Sequence, residues 1–293
     1  MVPKLCTLKF ETFTKYPPTP ISNPTMVQPP LPPEIIDGII EHLHDDKGAL
    51  KQCSLASKQL ASHTQRYLFN AVEITSKNLE GWKKTFPNSA TSLAHYARSL
   101  TVHPTDLVTA KDGIDGGWIK PFTNVERLEL RNLVQPGNPI PTVSLTPFHA
   151  LSSIKSLRVT FTAISPLEII NLICSLPLLE DLGINALNTE IDDIDEVILQ
   201  PVNPPPLTGT LHLRSGVKRV ANILSHVPVH NGLRFRKIIL DADSLEEEEE
   251  LEYAPDLVER CSNTLEYIQI RRSELGELFP HGGSMFGVNI CPL

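Results

Sequence analysis

The stretch Val125-Glu126-Arg127-Leu128-Glu129-Leu130 returns, with changes, as Ile154-Lys155-Ser156-Leu157-Arg158-Val159. It returns again as Leu179-Glu180-Asp181-Leu182-Gly183-Ile184 and as Leu265-Glu266-Tyr267-Ile268-Gln269-Ile270. Each hexapeptide ends in two apolar residues one position apart, the spacing that puts both side chains on one face of a strand. The pair alone recurs more widely, as Leu100/Val102, Leu128/Leu130, Leu157/Val159, Leu182/Ile184, Leu211/Leu213, Ile238/Leu240 and Ile268/Ile270. The first members lie 28, 29, 25, 29, 27 and 30 residues apart. One such hexapeptide is weak evidence. Seven pairs at near-constant spacing across residues 97–272 predict stacked strand-containing units that bury their apolar faces against one another.

Helices are expected between the strands. The clearest begins at Ser165-Pro166-Leu167-Glu168, where Ser165 can cap, Pro166 suits the first helical position and Glu168 completes a capping box. Its stripe of Leu167, Ile170, Cys174 and Leu176 reads as core. A second helix is expected over about Val217–Val227 and a third over Pro255–Cys261. Alternation along each strand then assigns the opposite face of the sheet. Its middle column is Thr101, Glu129, Arg158, Gly183, His212, Ile239 and Gln269, with Arg127, Arg131, Asn185, Arg214, Lys237, Asp241, Tyr267 and Arg271 beside it. In a solenoid this face is concave and is the usual binding surface. Glu129, Arg131, Arg158, Asn185, His212, Arg214, Ile239, Tyr267, Gln269 and Arg271 are therefore the candidate partner-binding residues, with Ile239 expected as an exposed apolar residue.

Upstream the pattern changes. Residues 1–30 hold Tyr16-Pro17-Pro18-Thr19-Pro20 and Pro29-Pro30, a composition expected to stay extended or disordered. Proline makes up 26 of the 293 residues, and nine of these fall in the first 33, so the excess marks a segment and not the chain. From Leu31-Pro32-Pro33-Glu34 onward, Ile35, Ile36, Ile39, Ile40 and Leu43 predict one apolar helix face. Amphipathic runs over Ala49–Leu55 and about Ser57–Leu68 predict two more helices, followed by strand-like Ala71-Val72-Glu73-Ile74. A bundle this small buries little, and its isoleucine face is wide. Spacing alone leaves two destinations for that face, a partner or the downstream units.

Apolar content of 41% and charged content of 20% fit an ordinary soluble protein. The net charge is −8, but Glu246–Glu250 with Glu252 supply six negative charges; the remainder, near −2, carries no basic footprint for nucleic acid. Cys6, Cys53, Cys174, Cys261 and Cys291 are odd in number, far apart and without a C-x-x-C, which argues against a disulfide framework or a zinc site. The most apolar stretch, Ile169–Leu179, is too short to cross a bilayer, no secretory h-region is found, and Asn23-Pro24-Thr25 is blocked as a sequon. These features predict an intracellular protein, in cytoplasm or nucleus.

Recognisable chemistry is scarce. His281-Gly282-Gly283 lacks any G-x-S-x-G elbow to serve. Gly113, Gly116 and Gly117 read as a loop. His42 and His44 are two apart and cannot share a helix face. Asp192, Asp193 and Asp195 near Glu190 lack the glycine turn and distant glutamate of a calcium loop. The expectation is a protein that is not an enzyme and takes no cofactor or metal.

Two resemblances follow. The pairs and their spacing resemble leucine-rich repeats, whose period is about 20–29 residues. The run Leu31-Pro32-x-Glu34-Ile35-Ile36-x-x-Ile39-Ile40-x-x-Leu43, then Ala49-Leu50-x-x-Cys53-Ser54-Leu55-Ala56-Ser57-Lys58, then Tyr67-Leu68-Phe69, resembles an F-box of the large fungal families. Leu60 stands where many F-boxes carry a tryptophan. Ser175–Leu182 is similar to the repeat junction of fungal F-box/leucine-rich proteins. The resemblance implies an α/β fold with four parts. These are a disordered arm (1–30), a three-helix F-box (31–74), a curved leucine-rich repeat solenoid of about seven strand–helix units (75–278), and an irregular tail or cap, or else a truncated end (279–293). It implies docking on a Skp1-like adaptor protein through Leu31, Pro32, Ile35, Ile36, Ile39, Leu50, Leu55 and Leu60. The chain would then act as a monomeric substrate adaptor within an SCF-type ubiquitin ligase, holding an unknown protein substrate, with no role for nucleic acid or membrane. The alternative is an interaction scaffold outside any ligase, with a vestigial F-box.

Overall fold

A computed structural model describes residues 31–85, 92–103, 117–131, 144–161, 166–186, 205–214, 217–227, 233–242, 254–272 and 285–289. It begins with three helices, α1 (Pro33–His42), α2 (Lys47–Ala56) and α3 (Lys58–Leu68). The sequence explains their limits. Pro33 opens α1 where a missing N–H costs nothing. Asp46 caps α2 by accepting from the Ala49 N–H at 2.9 Å, and Ser57 caps α3 by accepting from the Leu60 N–H at 3.1 Å. The bundle core is small: Ile36, Ile40 and Leu50, with Leu43, Cys53, Leu60, Tyr67 and Leu68 packed around them.

The expected single isoleucine face is corrected here. Ile36 and Ile40 are buried, whereas Ile35 and Ile39 are about half exposed. Adjacent residues on a helix point about 100° apart, so a stripe two residues wide divides between core and surface.

The next element, β1 (Ala71–Ile74), belongs to the sheet and not to the bundle. The sheet continues as β2 (Ser99–Val102), β3 (Arg127–Arg131), β4 (Ser156–Phe161), β5 (Asp181–Ala186), β6 (Thr210–Arg214), β7 (Lys237–Ala242), β8 (Tyr267–Arg272) and β9 (Met285–Asn289). Strand order follows chain order, each strand pairing with the one before it. β1 to β8 are all parallel, and β9 runs antiparallel to β8. This is an α/β, solenoid-like arrangement. The expected seven units become eight parallel strands. The stretch around residues 285–289, expected to be irregular, forms a further strand.

Every apolar pair lies in one ladder: Val72, Leu100, Leu128, Leu157, Leu182, Leu211, Ile238 and Ile268 are register partners in succession. The second members, Ile74 to Ile270, form a parallel row. Nearly all of these side chains are buried, and Ile268 and Ile270 are packed against the core.

A repeated backbone device fixes the register. The carbonyl two residues before one strand's first paired apolar residue accepts two successive N–H groups from the start of the next strand. Asn70 O receives Arg98 and Ser99, and Arg98 O receives Glu126 and Arg127. Glu126 O receives Lys155 and Ser156, and Lys155 O receives Glu180 and Asp181. Gly209 O and Arg236 O repeat the pattern. At the start of β6 the Asp181 carboxylate takes the Thr210 N–H instead, at 2.6 Å. A Cβ on Gly209 would collide with that carboxylate, which explains the glycine.

Return segments are uneven. α4 (Ser76–Thr85) was not foreseen and packs Trp82 flat against Phe122, with ring centroids 5.5 Å apart. Among the described residues, the next returns contain 3₁₀ turns at Leu93–Tyr96, Gly117–Ile119 and Thr146–Ala150. The three helices expected from the sequence form α5 (Pro166–Ser175), α6 (Val217–His226) and α7 (Ala254–Cys261). Leu207 sits at φ 44°, a left-handed conformation costing about 1–2 kcal/mol for an L-residue. Its side chain is fully buried, a gain of about 1.5–3 kcal/mol that offsets the strain.

Candidate functional site

Two surfaces carry the residues singled out in the sequence. The first is on the bundle. Leu31, Ile35, Ile39 and Leu55 are 55%, 53%, 48% and 72% exposed, an unusual concentration of large apolar side chains facing solvent on so small a unit. Pro32 is also exposed. Three of the expected docking residues are placed otherwise. Ile36 is 2% exposed and Leu50 fully buried, so both build the bundle core and cannot meet a partner while it is folded. Leu60 packs partly buried against the same core. The surface is held in shape by polar ties between α1 and α3. The Asp37 carboxylate accepts from His63 Nδ1 at 2.8 Å and from Arg66 at 2.6 Å, and Gln59 donates to the Leu31 carbonyl at 3.3 Å. The His63 hydrogen bond and the Arg66 charge, against some desolvation, hold the Asp37 carboxyl below its ordinary 3.8.

The second surface is the face of the sheet opposite the core. Register places Glu73, Thr101, Glu129, Arg158, Gly183, His212, Ile239 and Gln269 in one row across eight strands, as alternation predicts. Two residues depart from expectation. Ile239 is buried, not an exposed apolar anchor, and Gln269 is buried beside it. Ile239 lies between His212 and Gln269 in the ladder, and the His212–Asp241 pair stands across one end of it. Lys237 lies over the Tyr267 ring at 5.0 Å on the other side. Arg271 is in β8, but its side chain lies outside the described residues.

Several polar residues of this face pair with one another. Arg131 grips Glu129 with two hydrogen bonds of 3.0 Å, and this grip, against partial desolvation, raises the guanidinium above its ordinary pKa. His212 Nε2 lies 2.6 Å from Asp241. Glu73 and His103 form a further pair at 2.9 Å. Sequence reasoning missed that pair because β1 was assigned to the bundle. The signal was present, since Val72 precedes Leu100 by 28 residues, the same interval as the first repeat.

The other sequence candidates resolve simply. His42 Nδ1 and His44 Nδ1 bond the carbonyls of Gly38 and Glu41 at the end of α1, at 2.8 and 2.7 Å. Gly117 opens a 3₁₀ turn. Gly113, Gly116, Glu190, Asp192, Asp193, Asp195, the glutamate tract, His281-Gly282-Gly283 and residues 1–30 lie outside the described residues. Cys53, Cys174 and Cys261 are free thiols, and burial raises the latter two to about 11. Among the described residues no cluster of three or more His, Cys, Asp or Glu could hold a metal, and no helix is long and apolar enough to cross a membrane.

These features define a class: a helical bundle with solvent-facing apolar residues, joined to a solenoid-like parallel sheet with a mostly polar outer face. No family model matches the chain, and a search of curated proteins returns no match.

Proposed function

We propose that the chain is an F-box substrate adaptor. Its bundle docks on a Skp1-like protein, and its leucine-rich repeat sheet holds a target protein for ubiquitin transfer by other subunits of an SCF-type ligase. The observation that carries this reading is the exposure of Leu31, Ile35 and Ile39 at α1, and of Leu55 on α2, in a bundle whose sequence resembles an F-box. Apolar residues left outside a folded unit are stabilised when a partner removes them from water. The chain does no covalent chemistry; it supplies proximity and orientation. Such an adaptor works inside the cell.

The test is capture of purified Skp1 by the wild type and by an Ile35→Asp/Ile39→Asp double variant. Both positions face solvent, so the variant should keep its circular dichroism spectrum. Two carboxylates without partners in an apolar interface should abolish capture. Capture unaffected by the double substitution would remove this surface from the reading. Failure of a folded wild type to capture Skp1 would favour the second reading, a scaffold outside any ligase. That reading draws support from Leu60, which packs into the bundle where many F-boxes carry tryptophan.

A further inference from the structure

The outer face of the sheet has an imbalance between donors and acceptors. Its carboxylates are all engaged. Glu73 is held by His103, and Glu129 by Arg131 and the Thr101 hydroxyl. Asp181 is held by the Thr210 N–H and Asp241 by His212. The guanidinium groups of Arg127 and Arg158 are exposed, and neither has an ion pair or hydrogen bond among the described residues. Arg158 is central, in the fourth of eight parallel strands. Its neighbour in β3 is Glu129, already held by Arg131. Its neighbour in β5 is Gly183, where an added Cβ would stand 3.0 Å from Arg158 Cγ. The arm of Arg158 therefore rests over a glycine that leaves it room.

From these unpaired guanidinium groups we infer that the outer face around β4 binds an extended, acidic segment of a partner protein. One Asp or Glu carboxylate of that segment sits on Arg158. The inference rests on the reading of this face as the target-holding surface. A guanidinium matches a carboxylate with two parallel hydrogen bonds. A carboxylate fits better than a phosphate. Arg131 is committed to Glu129, and the Glu129 carboxylate adjoins Arg158, a setting that suits a single carboxylate better than a dianion. The chain as a whole is at −8, so polyanions gain no general attraction to it and binding depends on this local site.

The test is fluorescence anisotropy with the full chain and three labelled dodecapeptides: alternating Glu and Ser, the same with Gln for Glu, and the Gln form with one phosphoserine. The Glu peptide should bind best and weaken as salt rises. Arg158→Gln should lower its affinity by about tenfold, the loss of one charge-assisted contact. Arg158→Lys should recover only part of it, because lysine lacks the planar fork. Gly183→Val keeps the charge but displaces the arm, and should also weaken binding; if it fails to fold, the two Arg158 variants decide. Equal binding of the Glu and Gln peptides, no effect of Arg158→Gln, or preference for the phosphoserine peptide would each overturn the inference. Skp1 capture by the same variants separates the two proposals. Capture retained with no peptide binding leaves the adaptor reading standing alone. Peptide binding that depends on Arg158 without capture leaves this inference and removes the ligase.

Discussion

The bundle and the sheet use their apolar residues in opposite ways. In the bundle only Ile36, Ile40 and Leu50 are fully withdrawn from water, while Leu31, Ile35, Ile39 and Leu55 remain outside. In the sheet the paired apolar residues of one strand after another go into a single continuous core, and the outer row is mostly polar, with Glu73, Glu129 and His212 in side-chain pairs. A small unit has too little interior to hide all its apolar residues, whereas a stack of units shares one interior and can. The bundle is thus suited to non-directional apolar docking, and the sheet to directional polar recognition.

The contrast can be broken most sharply in the two cores. Phe122→Ala removes a fully buried ring stacked on Trp82 and should cost about 3–5 kcal/mol, read as a lower midpoint in chemical denaturation. Ile40→Ala in the bundle should cost less, about 2 kcal/mol, because the few residues around it can relax. Hydrogen exchange should then rise in α1 to α3 and leave the sheet protected. Equal loosening of both regions would mean that they unfold as one unit. A smaller change tests the helix ends: Ser57→Ala removes the α3 cap and should cost about 1 kcal/mol, again confined to the bundle.

Acid separates the regions by pH. Burial holds the His149 imidazole below its ordinary 6.5, against an upward pull from Glu168. The folded sheet therefore binds fewer protons than the unfolded chain as pH falls below 6.5. The stability this group contributes is complete above that value and lost as pH drops through the folded pKa. Asp37, lowered from 3.8, acts only further down: its contribution is present above 3.8 and lost below it. Thermal melts should show His149→Leu flattening the slope between about pH 7 and 5, and Asp37→Asn lowering stability by the same amount across that range, with the slope unchanged. A change in that slope on Asp37→Asn would contradict this order.

How far these regions could be read from sequence also differs. The apolar pairs of the sheet were legible because a parallel ladder demands the same residue type at the same register position in each strand, and all seven expected pairs align. α5, α6 and α7 were legible from caps and periodicity. The 3₁₀ returns were not, since a turn of that length has no periodicity to detect. β1 was visible as Val72 and Ile74 but was assigned to its sequence neighbours, not to its register partners. The division of Ile35/Ile39 from Ile36/Ile40 was hidden because all four are isoleucine, and only the position of α3 decides which pair is covered. On the outer face, alternation found the row, but it could not show which charges cancel. Arg131 and Arg158 read alike in sequence, and the structure leaves one gripped by Glu129 and the other without a partner among the described residues.

The carbonyl that accepts two N–H groups at the start of β2 to β5, β7 and β8 has a consequence for how such a chain can change over time. Each of these strands takes its frame from the backbone of the strand before it, using groups that every residue except proline supplies. The segments between strands do not set that frame, so their lengths can drift, as intervals from 25 to 30 residues attest. Insertions and deletions there need not be compensated elsewhere. A lineage built on this device can vary its connecting segments widely while its outer row of side chains stays aligned.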